Sequence, residues 1–429
     1  LAALAALTGS AIAALFGKGG TAGSRIGTAL TGPTGQRRVF ALLRLVQPNL
    51  VLNRRTIISY PNNGITALAT RRADVTDILS RDEDFGVVYA PRMKMITDGE
   101  NFFLGMQDSP RYTRDVSNMR LTMRREDVPV IVTPYVEAAA ADIMAMVPGV
   151  IDVPQALTQP VAAGLLDRYF GTPGPSEAAI AEWTTVLFWY LFIDLKADPD
   201  LDARARRAAA AFRAWLDAHI AARRAEGAER DDVLGRCLAM GTADLPGMTD
   251  VDIRNNLIGL LIGELPTLSA TANLALDELL DRPRHFAAAC AAARSGDDAT
   301  LSAHIFEALR FRPLNPVVYR RAMRDTTIAS GWLRRRQITQ DSIVMASNLS
   351  AMFDPLMVRD PARFRIDRPW ETYMLWGYGM HTCFGAHINR AVLPAMLKPL
   401  LAQPNLRRAA GPRGRVDTAG TPFPQHLHL

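Results

Sequence analysis

The chain has 429 residues, of which 48% are hydrophobic and 21% are charged. That length is enough for a large buried core, and the composition excludes both an intrinsically disordered chain and a protein of many membrane spans. The net charge is +6, and because the basic residues are scattered without a run of five or six like charges, we expect no nucleic-acid partner.

The first predicted segment is a leader or linker at 1–35, followed by a single domain at 36–429. Residues 1–16 are apolar but interrupted at 8–10, and they are shorter than the ~20 residues that a spanning helix needs. We therefore expect no membrane-spanning segment and a cytoplasmic location, with the N-terminal apolar segment as the candidate for a peripheral membrane contact. Because the sequence does not begin with Met, the leader is a candidate remnant of a longer protein.

The elements after the leader predict a mainly α protein with small β-sheets. Helical patterns dominate from about 109 to 309, and the longest runs over 250–281, capped by Thr249 or Asp250 and broken at Pro266. The stretch 85–108 is rich in glycine and apolar side chains, which favours a loop that covers a binding site. Shorter helices are predicted at 74–79 and 386–401, and strands at 56–58, 65–68, 317–319, 327–329, 342–345 and 426–429.

The three cysteines, Cys237, Cys290 and Cys383, are far apart and form no CxxC pair, which excludes a disulfide framework and a structural zinc site. Cys383 is different from the other two because it lies in a glycine-rich loop directly before a predicted helix. Backbone N–H groups and the positive end of a helix lower the pKa of a thiol, so this loop favours a thiolate that can bind a soft metal. The alternative is a buried cysteine at a tight turn.

The spacing of Trp376, Gly379, Cys383 and Gly385 resembles the haem-binding loop of the cytochrome P-450 family, in which Phe usually occupies the position of Trp376. The resemblance implies that Cys383 is the axial thiolate ligand of the haem iron, and that both glycines let the loop approach the porphyrin. It also implies that His381 bonds a haem propionate. The expected cofactor is haem b (iron protoporphyrin IX), held in a cytochrome P-450 fold between the long central helix and the helix after the cysteine loop.

Glu307 and Arg310 are similar to the family's Glu-x-x-Arg pair, since residues at i and i+3 share one face of a helix. Arg363 stands where the family completes a buried Glu-Arg-Arg cluster, so these three residues are expected to be structural. Arg320 is similar in placement to an arginine that pairs with a haem propionate. Tyr112 stands where bacterial members usually have a propionate-binding His.

The stretch Gly263–Thr267 corresponds, by the same resemblance, to the part of the central helix that relays protons during oxygen activation. Pro266 occupies the position of the family's acid, and Thr267 matches its threonine. Glu264 lies one turn before Thr267, which makes it the candidate substitute for the acid. Two alternatives stay open, because Glu264 could pair elsewhere in the core and Thr267 could bond only its own i−4 carbonyl.

The resemblance implies a monooxygenase of the EC 1.14 type that oxidises a hydrophobic small molecule with O2 and electrons from separate ferredoxin and reductase proteins. Its substrate pocket is expected under 85–103, 183–192 and 314–318. Pro266 also resembles branches that use peroxides, so the alternative is a peroxygenase or a fatty-acid hydroperoxide isomerase, although Leu265 replaces the arginine of the fatty-acid peroxygenases. The second alternative is a haem-binding protein without turnover.

Overall fold

A computed structural model describes residues 32–52, 63, 65–227, 230–240, 248–332 and 334–429. The strand predicted at 56–58, most of its turn and nearly all of the leader lie outside the described residues. The helices are α1 Pro33–Val46, α2 Arg72–Ser80, α3 Ala90–Ile96, α4 Pro110–Thr122, α5 Thr133–Met146, α6 Gln159–Leu165, α7 Glu177–Phe188, α8 Pro199–Glu226, α9 Val233–Met240, α10 Asp250–Leu280, α11 Pro283–Ser295, α12 Asp298–Phe311, α13 Asn348–Ala351 and α14 Ala386–Leu401. The strands are β1 Asn49–Leu52, β2 Thr66–Ala69, β3 Phe85–Val87, β4 Val318–Ala322, β5 Thr326–Ile328, β6 Arg336–Ile338 and β7 Ile343–Ala346.

The chain divides into two compact units, and the first joins the described residues up to Val88 with Leu309–Thr382. Its five-stranded sheet has the order β1-β2-β7-β4-β3, with β2 parallel to β7 and the other neighbours antiparallel. A second sheet pairs β5 with β6. The helix α1 joins this unit through the buried Arg44, whose guanidinium donates to the carbonyl oxygen of Ser350 at 2.9 Å.

The second unit, Tyr89–Ala308 with Cys383–Leu429, is mostly helical and is built around α10. Thr249 and Asp252 form the capping box that begins α10, which confirms the predicted cap at Thr249. The predicted break at Pro266 is wrong, because α10 continues through the proline from Asp250 to Leu280. Packing against α6, α7 and α8 holds the helix together where one backbone hydrogen bond is lost.

Two segments differ from their sequence-based assignments. The stretch 85–108 contains β3, α3 and a 3-10 turn at Phe103–Gly105 rather than one long loop. The predicted strand at 426–429 forms only isolated bridges, among them Asp152 with His428. Its last residue, Leu429, exchanges two backbone hydrogen bonds of 3.0 Å with Ile151, so a distant loop, not a neighbouring strand, pairs with this segment.

Within the described residues, Val128–Met146 and Asp250–Leu280 are long and apolar enough to cross a membrane by length and composition alone. The second of these is α10, and 72% of its most apolar window is buried inside the protein, as expected for a core helix.

Candidate active site

Cys383 lies at the start of the second unit's C-terminal part, two residues before Gly385, which caps α14. Its side chain is accessible, yet the surrounding protein raises the pKa of the thiol, and the N–H of Gly385 lowers it by a smaller amount. In the protein alone, desolvation outweighs this one backbone donor, and the thiolate predicted from the sequence stays a prediction. A coordinated cation would supply the missing counter-charge and remove the proton.

Gly379 turns the chain before Cys383 and has a φ of 73°. A Cβ atom at this position would lie 2.2 Å from the carbonyl oxygen of Leu79. The turn is held by Thr382, whose N–H and hydroxyl both donate to the Gly379 carbonyl oxygen, at 3.1 and 2.8 Å. Only glycine fits here, because any other side chain meets both an unfavourable φ and a backbone atom. Gly385 has no such restriction, since nothing lies within 4 Å of its Cβ position.

His381 and Arg320 belong to the first unit, and both are predicted to bond a cofactor's acidic groups. Arg320 is 3% exposed on β4, and it donates to the carbonyl oxygen of Tyr319 at 3.0 Å. Burial and the charge of Arg320 lower the pKa of His381 to about 3. His381 is therefore a neutral N–H donor in the protein alone, and its bond to a haem propionate stays a prediction. Trp376 packs against Trp370, with ring centroids 5.5 Å apart.

The face of α10 that carries Thr267 borders open space, because no heavy atom lies within 4 Å of a Cβ placed on Gly263. The Thr267 hydroxyl donates to the Gly263 carbonyl oxygen at 2.5 Å and lies 3.4 Å from that of Glu264. The alternative in which Thr267 bonds its i−4 carbonyl is therefore the arrangement observed. The hydroxyl keeps its lone pairs free to accept a proton donor from the open side.

Glu264 holds its two carboxylate oxygens in a buried position, where no hydrogen-bond partner for them exists among the described residues. Burial raises the pKa of Glu264 well above its ordinary value. Burial therefore favours the protonated, uncharged form of this carboxyl group, because an isolated buried charge is far more costly than a buried acid. The described part of the chain contains no core partner of the kind that the first alternative requires.

Tyr112 is partly buried in the first turn of α4, where its N–H donates to the N-capping Ser109. Two arginines beside it could have added positive charge to a cofactor site. Both instead bind Asp252 at the beginning of α10, Arg111 at 3.0 Å and Arg114 at 3.2 Å. Arg111 also binds Glu100 and Arg114 also binds Asp115, so the charge of both arginines is balanced by carboxylates.

The predicted ion cluster differs in its third member. Glu307 and Arg310 are both fully buried on α12, but the Arg363 side chain is exposed, so its predicted burial is wrong. Arg310 donates to the backbone carbonyl oxygen of Arg363 at 3.1 Å, and Arg368 donates to the same oxygen at 2.7 Å. The turn from Asp360 to Arg363 directs a carbonyl, not a guanidinium, toward Arg310.

Sequence reasoning missed the residues that attach the segment before α4 to the site. The ring of Phe103 lies 5.0 Å from that of Phe384, the residue after Cys383. Asn256 of α10 accepts a hydrogen bond from the Phe103 N–H at 3.3 Å. A Cβ on Gly259 would lie 2.1 Å from the Phe102 ring. A glycine inside an apolar helix was the available signal, since it often marks a close approach by another group.

The comparisons with known proteins agree with this arrangement. The sequence model of the family described as Cytochrome P450 matches residues 177–403, about half of the chain. The chain is 27% identical over 334 residues to cyclomarin C epoxidase CymV of Salinispora arenicola, a match that covers 76% of this chain and 80% of that protein. It is 37% identical over 83 residues to linoleate diol synthase of Gaeumannomyces graminis, covering 19% of this chain and 7% of that protein.

Among solved structures, a mutant of P450 EryK in complex with erythromycin B matches with a TM-score of 0.75 and 22% identity. That match covers 93% of this chain and 96% of the other. At this identity the likeness shows the fold alone, and it confirms the fold predicted from the cysteine loop.

Proposed function

Because this chain belongs to the cytochrome P450 family, whose members are haem-dependent oxidoreductases, we propose that it is a monooxygenase of hydrophobic small molecules. In this reaction one atom of O2 enters the substrate and the other leaves as water, with two electrons and two protons consumed. Separate ferredoxin and reductase proteins supply the electrons. The observation that carries the proposal is the accessible Cys383 at the start of α14, in a loop that turns at Gly379.

The residues around Cys383 fit a haem. The described part of the chain has no group of three or more His, Cys, Asp or Glu side chains that could hold a metal ion. A metal at Cys383 must therefore bring its other ligands with it, as the iron of a porphyrin does. The open space at Gly263 and at Gly385 leaves room for a flat group beside α10 and beside the cysteine loop.

The proposed cofactor is haem b, with Cys383 as the axial ligand. Arg320, His381 and Tyr112 would hold its propionates, as a buried cation and two neutral hydrogen-bond donors. When bound, the haem supplies oxygen activation, and a thiolate ligand favours cleavage of the O–O bond. By the resemblance of the cysteine loop to that of the family, Trp376 would lie near this ligand, where hydrogen bonding tunes the iron potential.

Protons reach the reacting oxygen through Glu264 and Thr267. Burial raises the pKa of Glu264 and favours its protonated form, which is the form that a general acid requires. The Thr267 hydroxyl donates its one proton to the Gly263 carbonyl oxygen. It can accept a proton from the open side in this position, and it must rotate away from that carbonyl to pass its own proton on. Pro266 cannot carry a proton, so Glu264 replaces the acid that the family usually has one residue before the threonine.

A peroxide-driven enzyme, either a peroxygenase or a fatty-acid hydroperoxide isomerase, is the second candidate. Two observations favour it. Pro266 occupies the position where the family usually has an acidic residue, and 83 residues of this chain match linoleate diol synthase. Hydroperoxide isomerisation needs no electron donor, because the substrate itself carries the oxygen and the oxidising equivalents. The longer match to an epoxidase, over 76% of the chain, keeps the monooxygenase first.

The deciding experiment compares two sources of oxidising power. Substrates are first selected by the change they cause in the haem spectrum, from a panel of terpenoids, aromatics, fatty acids and fatty-acid hydroperoxides. Turnover is then measured with a surrogate ferredoxin, reductase and NADPH under O2, and separately with hydrogen peroxide or the hydroperoxide alone. We expect product from the electron-driven system. Turnover with peroxides only would establish the second candidate, and turnover with neither would identify a haem protein that binds without catalysis.

The role of Glu264 is tested in the same assay. We expect Glu264→Gln to divert electrons from product to hydrogen peroxide, because an amide cannot deliver the proton. Glu177→Gln is the matched control, since Glu177 is an exposed carboxylate in the first turn of α7. Equal coupling efficiency in wild type, Glu264→Gln and Glu177→Gln would remove Glu264 from the proton path.

A further inference from the structure

A cavity of about 190 Å³ lies in the second unit, with Leu265, Pro266 and Ser269 of α10 in its wall. Residues on a helix are separated by roughly 100° of rotation, so Leu265 and Ser269, each two residues from Thr267, point roughly 160° away from it. The cavity is therefore on the side of α10 opposite the Thr267 hydroxyl. Its occupant is not the group that would be oxidised.

Two opposite charges line this cavity from different helices. Glu182 comes from α7 and Arg204 from α8, and both residues are exposed to solvent. Among the described residues, neither side chain forms an ion pair. The guanidinium of Arg204 lies 6.0 Å from the ring centroid of Trp189. The cavity thus offers a carboxylate and a guanidinium that do not neutralise each other, which suits a ligand that carries both signs of charge.

The remaining lining residues determine which uncharged part of a ligand would fit beside its charged groups. Val186, Leu265, Pro266 and Phe423 provide apolar surface. The uncharged polar residues of the lining are Gln159, Thr185, Ser269, Thr421 and Gln425. A dry apolar cavity of about 150 Å³ accepts benzene, so the volume here suits a phenyl ring or a branched aliphatic chain with little room to spare. Ligand pockets commonly combine such an apolar lining with a few polar groups that fix orientation.

We propose that this cavity binds an amino acid with an aromatic or branched apolar side chain as an effector. The carboxylate binds Arg204, the ammonium binds Glu182, and the side chain packs against Leu265 and Pro266. Because Pro266 adjoins Thr267 in the chain, a bound amino acid acts on the segment of α10 that carries the proposed proton path. Amino-acid binding and substrate binding then change each other's affinity by the same factor. The binding itself does not depend on the oxidation chemistry proposed above.

Binding is measured with the full-length holoprotein by calorimetry and by tryptophan fluorescence, since Trp189 lies beneath Arg204. The probe is L-phenylalanine, compared with 3-phenylpropanoate, which lacks the ammonium, and 2-phenylethylamine, which lacks the carboxylate. We expect phenylalanine to bind about tenfold more tightly than either, because each analogue leaves one charge of the cavity without a partner. Equal affinity of 3-phenylpropanoate, or no binding of phenylalanine at about 10 mM, would overturn the proposal.

Variants assign the contacts. Arg204→Gln and Glu182→Gln should each weaken phenylalanine binding about tenfold, because a charge-assisted hydrogen bond becomes a neutral one. Arg207→Gln is the matched control, since Arg207 is an exposed arginine on the same helix that does not line the cavity. Ala181→Trp should abolish binding by filling the space. An equal loss in Arg207→Gln, or full affinity in both charge variants, would contradict the assignment whatever the outcome of the turnover assays.

Discussion

Replacing Gly379 with alanine should lower the free energy of unfolding by about 2–5 kcal/mol, the sum of two separate costs. The first is the backbone conformation, since a φ of 73° is left-handed and costs an L-residue about 1–2 kcal/mol. The second is the close approach, because the new Cβ would lie 2.2 Å from the Leu79 carbonyl oxygen. Overpacking against atoms that cannot move freely costs about 1–3 kcal/mol.

The assay is thermal unfolding followed by circular dichroism. At about 2.1 cal/mol/K per residue, a chain of 429 residues has an unfolding entropy near 0.9 kcal/mol/K, so the midpoint should fall by roughly 2–6 °C. Gly296→Ala is the matched control, because Gly296 has a φ of 75° and nothing within 4 Å of its Cβ position. It should show the conformational cost alone, roughly 1–2 °C.

Equal lowering of the unfolding midpoint by Gly379→Ala and Gly296→Ala would contradict the close approach at Gly379. That result would mean that no backbone atom approaches Gly379, and that the turn before Cys383 follows another course.

Cys383→Ser should abolish the red-shifted absorbance of the ferrous carbonyl complex that marks thiolate ligation, and a variant that keeps this band would exclude Cys383 as the axial ligand. Arg310→Ala should cost about 3–5 kcal/mol by leaving the buried Glu307 unpaired, while the exposed Arg363→Ala should change stability by about 0.5 kcal/mol or less; thermal unfolding of both variants tests the cluster, and equal losses would contradict it. Glu264 has a raised pKa in the folded protein, so wild type should lose stability relative to Glu264→Gln as the pH rises above about 4.3, by at most ~1.4 kcal/mol per pH unit. Urea unfolding between pH 5 and 8 measures this difference, and parallel curves would show that Glu264 is not buried as an acid.

The cysteine loop was predictable because local rules determine most of it. The glycine at 379 is required by a turn, and the helix 386–401 follows from its own apolar period, so both were assigned correctly from sequence. The 31-residue α10 was likewise predictable, including its cap at Thr249. The continuity of α10 through Pro266 was not predictable. It depends on packing against three neighbouring helices, and the sequence does not report where those helices lie.

The ion cluster shows a different limit. Sequence spacing identified Glu307 and Arg310, which are one helical turn apart. It also predicted that the side chain of Arg363 would be the third member of the ion cluster. The structure uses the backbone carbonyl of Arg363 and brings Arg368 to it instead. Which atom of a turn residue faces inward depends on the backbone dihedrals of that turn, and residue identity does not report them. The pKa of His381 was also not predictable from sequence, because it depends on burial and on the nearby charge of Arg320.

The backbone pairing of Ile151 with Leu429 has a consequence for synthesis on the ribosome. Residues 152 and 427, which also share a hydrogen bond, are 275 positions apart. At a translation rate of about 5–20 residues per second, residue 427 is therefore synthesised roughly 14–55 seconds after residue 152. In the other unit, β2 waits equally long for its parallel partner β7, from Thr66 to Ile343. Each unit therefore leaves a backbone edge unpaired until its partner segment has been synthesised, and an unpaired edge of this kind is prone to aggregation in that interval.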